Sequence, residues 1–200
     1  MMIDKDKIIK ISQNEGIVRY SSDLISKYNF PSYLNEILKC LGVPKNASPY
    51  IKFFSEKEGG GSKLNEYYNL SLYEDSEYVT KDILERLKIK FNDYVVLGSV
   101  ESNVFVLNKK YEVIEVDYET LDEHFINDTL NNFLESSLIY QTMIFDIRSR
   151  YEHEKVIDFM EYITQDDIEL LKRDLIKIDK KSLQDNSFWA YQIELLEEGI

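Results

Sequence analysis

The sequence predicts an α+β protein: a central antiparallel β-sheet, laid out as a meander and flanked by helices. Three observations predict it. The β-rich runs "YVVLGSV", "NVFVL" and "YEVIEVD" cluster between Tyr94 and Asp117, with polar turns between them. Apolar residues at helical spacing lie on both sides of that cluster. The strands are therefore grouped between helices instead of alternating with them. With 200 residues, one domain over 1–200 is expected, long enough to bury a core without disulfides.

The elements follow in order. "KDKIIKIS" and then "GIVRY" read as a short helix or a strand pair. In "NFPSYLNEILKCLGVP", Pro31 suits the first turn of a helix, where its missing N–H is not needed. Tyr33, Leu34, Ile37, Leu38 and Leu41 follow at helical spacing. Gly42 is the expected C-terminal stop and Pro44 lies just beyond it. "PYIKFF" reads as a strand and "EKEGGGSK" as a loop, since the spacing of a phosphate-binding loop is absent. "LNEYYNLSLYEDSEYVTKDILERLKIK" mixes irregular and helical signals. In the meander, Gly98 marks a bulge or a close backbone approach. The short connection "NKK" forces antiparallel neighbours, and Asn108 is the residue there best able to take a turn conformation.

Helices come after the meander. Asn127 or Asp128 is expected to cap a helix that starts at Thr129. Its apolar stripe runs through Leu130, Phe133, Leu134, Leu138, Ile144 and Phe145, with Gln141 the exception. "EKVIDFMEYI" predicts a second helix. Thr164 and Asp167 form a capping-box pair ahead of "DDIELLKRDLIKI". "DNSFWAYQIELLEEGI" predicts a last helix around Trp189, with Asp185 or Asn186 near its start.

Charge is the most informative feature of the composition. The first hundred residues hold 14 basic and 14 acidic side chains, the second hundred 10 and 23, so the whole net charge of −13 lies in the second half. Direct nucleic-acid binding needs Lys and Arg on the phosphates, and this field opposes it. An acidic surface keeps a protein soluble, and it also speeds encounter with a basic partner. No apolar run is long enough to cross a membrane, and the charged start "MMIDKDKIIKIS" lacks the apolar core of a signal peptide. The single cysteine, Cys40, has no internal partner. A cytoplasmic setting is expected.

Few residues point to catalysis. His124 and His153 lack neighbours at metal-ligand spacing, so neither a metal nor a cofactor is expected. The acids Glu112, Glu115, Asp117, Glu119, Asp122 and Glu123 are the remaining candidates. Strand alternation puts Glu115 and Asp117 on one face with Tyr111 and Val113, and Glu112 on the other with Ile114 and Val116. They form a solvated edge that discourages aggregation, a patch for a partner, or a convergent carboxylate pair. The 15 tyrosines, several beside acids as in "YEDSEY", favour a contact surface.

Taken together, four segments resemble the SUKH superfamily of Smi/Knr-type proteins, most closely its fourth subgroup. "NFPSYLNEILKCLGVP" resembles the family's early helix ending in Gly-x-Pro. "YVVLGSVESNVFVLNKKYEVIEVD" resembles its central meander, with Gly98 after an apolar strand; Lys109 and Lys110 stand where an Asp or Gly is common. "FINDTLNNFLESSLIY", with Asn127, Asp128 and Phe133, resembles its Asn-x-Ser/Thr helix start, and "IDKKSLQDNSFWAYQIELLEEGI" its closing segment around Trp189. The resemblance implies a SUKH-like single domain and a role by binding, not catalysis. Bacterial members are immunity proteins that bind the toxin domain of a polymorphic toxin, often a nuclease. The expectation is a non-enzymatic immunity protein whose acidic surface, Glu112 to Glu123, meets a cognate basic toxin. The alternative is a regulatory or scaffold module of the same fold with another partner.

Overall fold

Six strands pair in the order in which they occur in the chain. The computed structural model describes residues 2–13, 15–71, 81–151 and 162–199. The sheet is β3 (Asn46–Ala47), β4 (Ile51–Phe53), β5 (Val95–Val100), β6 (Asn103–Leu107), β7 (Val113–Val116) and β8 (Glu123–Asn127), antiparallel throughout. A separate pair joins β1 (Ile17–Val18) to β2 (Val43–Pro44). The α+β class and the meander are as predicted, and the meander is longer. The residues "HFIN", just ahead of the expected helix, form part of β8 beside β7, a strand the sequence did not predict.

Helices cover both faces of the sheet. On one face lie α1 (Lys5–Ser12), α6 (Leu130–Arg150), α7 (Gln165–Ile178) and α8 (Phe188–Glu198). They bury Ile8, Phe133, Leu134, Leu171 and Trp189 against Phe53, Leu97, Phe105, Val113 and Ile126. On the other face, Leu64 and Tyr68 of α4 (Leu64–Ser71) and Leu87 of α5 (Lys81–Lys90) cover Val96, Val104, Val106, Ile114 and Val116. This explains why "VVL" and "VFVL" read as continuous apolar runs. A strand buried on both sides has no polar face to alternate with.

Gly98 is both things that its position implied. The β5–β6 register shifts between Val96 and Gly98, and a Cβ at Gly98 would overlap the Lys52 carbonyl on β4. Gly42 has φ 84° and ψ 171°, a region closed to other residues. It ends a six-residue π-helix, Glu36–Leu41, that continues α3 (Ser32–Asn35), itself preceded by the single-turn α2 (Ser22–Ile25), and its N–H donates to the Ile37 carbonyl at 2.7 Å. Pro31 stands one position before the helix and not inside its first turn. Pro44 pairs with Ile17. The glycine loop is held to the sheet. Gly61 N–H donates to Val96 O at 2.7 Å and Val96 N–H to Ser62 O at 2.9 Å.

Other expectations need correction. Asn108 does not take the left-handed conformation in its turn; Tyr111 does, with φ 64°. Asn108 instead builds the turn with its side chain, whose Oδ1 accepts from Lys110 N–H at 2.8 Å and Glu112 N–H at 3.0 Å. Neither Asn127 nor Asp128 caps α6. Thr129 does, accepting from Asn132 N–H at 3.0 Å. Phe145 is 53% exposed while Gln141 is buried. The buried stripe carries Ser136, Ser137 and Gln141, which hid it from an apolar count. Phe145 falls 12 positions after Phe133, about 120° round the helix. Thr164 and Asp167 form the predicted capping box, and Ser187 caps α8. The helix predicted at "EKVIDFMEYI" lies, but for its last two residues, outside the described residues. "YEDSEY" and His153 lie wholly outside them.

Asn127 has a different task. It is fully buried and accepts from Trp189 Nε1–H at 2.9 Å, and its amide donates to Asp179 Oδ2 at 3.2 Å. Among the described residues, no helix is long and apolar enough to cross a membrane. Phe133 meets Phe53 and Phe105, with ring centroids at 6.0 and 5.0 Å. Phe133→Ala should cost about 3–5 kcal/mol by chemical denaturation; an unchanged midpoint would contradict its place in the core. Asn127→Ala should cost about 2–4 kcal/mol, because it leaves the buried Trp189 N–H without its acceptor and takes one donor from Asp179. Thr129→Ala should cost only about 1 kcal/mol. The reverse order of these two losses would return the capping role to Asn127.

Candidate partner-binding site

The meander and the docking of α8 place a cleft of about 660 Å³ at one end of the sheet. Its sheet wall carries Glu101 from the β5–β6 turn, Asn103 from β6, Glu115 from β7 and His124 from β8. The opposite wall is the segment leading into α8, with Asp185 and Asn186, and the first turns of α8, with Tyr191 and Glu194. Tyr191 and Glu194 stand three apart on one helix face. Among the described residues lining the cleft there is no Lys or Arg.

Glu115 is the innermost acid. Its partner across the strand pair is His124, and Asn103 Nδ2 donates to its carboxylate at 2.6 Å. Burial pushes its carboxyl above the usual range; the Asn103 bond and the charge of His124 act against that, while Glu101 and Asp117 add to it. The other cleft acids, Glu101, Asp185 and Glu194, are exposed at the rim.

The six predicted acids do not converge. Glu115 alone lines the cleft. Asp117 is a turn residue, accepting from Glu119 N–H at 2.9 Å and Thr120 N–H at 2.7 Å. Those bonds, the Thr120 one first, hold its carboxyl below the usual range. Glu123 points to the opposite face of the sheet, where it accepts from Tyr94 Oη–H at 3.2 Å and pairs with Lys90 at 3.1 Å. Burial, then the Glu123 charge, pushes Tyr94 up to about 12. Glu112 accepts from Asn108 Nδ2 at 2.7 Å and lies 3.5 Å from Lys181 Nζ. Glu119 accepts from Tyr118 at 2.8 Å, and it and Asp122 are exposed. Alternation along β7 is as predicted: Val113 faces one core, Ile114 and Val116 the other.

Sequence reasoning missed Glu101, Asn103, Asp185, Tyr191 and Glu194 as site residues. A meander brings the β5–β6 turn to the end of β7, so Glu101 and Asn103 were within reach of that argument. The α8 residues were not, because their place depends on how the helix docks. Among the described residues, no group of three or more His, Cys, Asp or Glu is placed to hold a metal ion.

The fold and cleft define a class: an α+β protein with a two-faced antiparallel sheet and an acidic cleft at its end. Comparison of the chain with protein-family models, curated proteins and solved structures finds no match.

Glu115 gives a pH prediction. Its folded pKa lies above the unfolded value, so the folded state holds the proton more tightly. Stability is therefore lost as the pH rises through the carboxylate range. Glu115→Gln should raise the Tm at pH 7, since it removes the charge that the site disfavours. The gain should vanish below the ordinary carboxylate pKa. A lower Tm at pH 7 would contradict the burial argument.

Proposed function

We propose that this chain is a binding protein that neutralises a cognate basic toxin domain in the cytoplasm, acting by occlusion and not by catalysis. The observation that carries the reading is the cleft, in which four carboxylates and an exposed tyrosine share a lining without Lys or Arg among the described residues. All four acids belong to the half of the chain that holds the net charge. A nuclease toxin is basic where it holds nucleic acid, and such a surface complements this field. The same field disfavours direct nucleic-acid binding. Complementary potentials speed encounter and weaken with salt. The resemblance of four segments to SUKH immunity proteins supports the reading as well.

The contact set moves with the geometry. Of the run from Glu112 to Glu123 only Glu115 is kept, joined by Glu101, Asp185 and Glu194, while Glu112 and Glu123 already face lysines. Tyr191, 57% exposed, offers the contact area typical of interface aromatics.

The reading expects a toxin gene beside the gene for this chain. Co-expression with that toxin should let cells survive. Glu101→Lys combined with Glu194→Lys should slow association about tenfold or more and flatten its salt dependence. Circular dichroism would show the variant folded. Unchanged protection and unchanged salt dependence in that variant would exclude the cleft as the contact. A neighbouring gene and bound partner unrelated to any toxin would favour the scaffold alternative.

A further inference from the structure

The opposite end of the same strands carries a second cleft of opposite character. Its volume is about 340 Å³, within the range of small-ligand pockets. Lys27, Lys63 and Lys109 line it, with Asp93 the one acid in its lining. Asp93 pairs with Lys109 at 3.3 Å. Lys27 and Lys63 have no ion-pair partner among the described residues. The nearby Glu66 carboxylate accepts from the Lys63 backbone N–H at 3.4 Å. The lining thus has an excess of two positive charges, of which nearby Glu66 offsets one, in a chain of net charge −13.

Aromatic rings form the rest of the wall. Tyr28 stacks on Phe30 with centroids 4.9 Å apart and planes at 18°, and Phe30 meets Tyr111 edge-on at 5.8 Å. The two hydroxyls pin the rings in place. Tyr28 donates to Gly61 O at 2.6 Å and Tyr111 to Asn29 O at 2.8 Å. Rings fixed before binding lose little entropy when a flat ligand docks on them. Lysines beside aromatic faces are the combination that takes a phosphate together with a base.

We propose that this cleft binds a mononucleotide, its phosphate between Lys27 and Lys63 and its base against Tyr28 and Tyr111, which the buried Phe30 backs. The site does not rest on the toxin-binding reading, which concerns the other end of the sheet. The repulsion of the distant acids is screened over about 8 Å at physiological salt, so the nearby lysines dominate inside the cleft.

Calorimetric titration of the full chain with AMP, adenosine and inorganic phosphate tests this. AMP should bind with a Kd below about 1 mM and at least about tenfold more tightly than either half. Lys27→Gln with Lys63→Gln should weaken AMP binding about tenfold or more at an unchanged melting temperature. Amide shifts in NMR should gather at Lys63, Asn108 and Tyr111. No AMP binding, binding indifferent to the two lysines, or phosphate binding as tightly as AMP would each overturn the proposal. So would hexaglutamate binding more tightly than AMP and displacing it, which would mark a surface for acidic peptides.

Discussion

The structure depends on one buried polar node. Trp189 is completely enclosed, and its indole N–H must find an acceptor there. Asn127 Oδ1 is that acceptor. The amide of Asn127 then donates to Asp179, whose Oδ2 also takes the Asp128 N–H at 2.6 Å, while Oδ1 takes the Lys181 N–H at 3.1 Å. Three elements meet in those few bonds: the end of β8, the C-cap of α7 and the first turn of α8. One wall of the acidic cleft is sheet and the other is α8, so the node sets the distance between them. A low-dielectric interior makes each bond strong and each missing one costly. The cleft therefore inherits its shape from residues that do not line it.

The sheet is sandwiched between helices, and this constrains its irregular parts. β4 is only three residues long, and β5 needs backbone partners beyond its reach. The glycine segment supplies them through Gly61 and Ser62. Gly60 lies against the Phe54 carbonyl too closely for any Cβ. The loop is thus a piece of sheet edge that only glycine allows, and it also anchors the Tyr28 hydroxyl. The bulge at Gly98 serves the same economy, since it lets β4 approach β5 where a side chain would collide.

What was legible in the sequence was what local chemistry decides. Gly42, Gly98 and the Thr164–Asp167 box announce their roles because a backbone conformation or a cap selects the residue type. The alternation of Val113, Ile114 and Glu115 follows from strand geometry alone. The failures have a common cause. Asn127 looks like a cap because caps favour Asn, yet a tertiary partner 62 residues away, Trp189, claims its side chain. β8 was hidden in the same way, for "HFIN" is too short to show a period and gains its strand form from pairing with β7. Phe145 looked like core because the true inner stripe of α6 holds Ser and Gln that find partners in other elements: Ser137 donates to Ser48 O and Gln141 to Ile11 O. The acids failed as a group because neighbours along a strand and its turn point to different faces and serve different ends.

Glu115 links stability to the binding reading. In the free protein it is a half-buried carboxyl with one side-chain donor, Asn103, and with Glu101 and Asp117 close enough to oppose its charge. Such a group costs stability once ionised, and sites that cost stability are retained where function needs them. A cationic side chain brought by a partner would reverse the balance, since an opposite charge nearby favours the ionised form. Binding and loss of the Glu115 proton would then be linked, each favouring the other. On the binding reading proposed above, the repulsion that Glu101 and Asp117 exert on Glu115 is what a basic surface would relieve. A solvated strand edge would offer no such relief, because exposed acids are already satisfied by water. The half-burial of Glu115 is what sets it apart from such an edge.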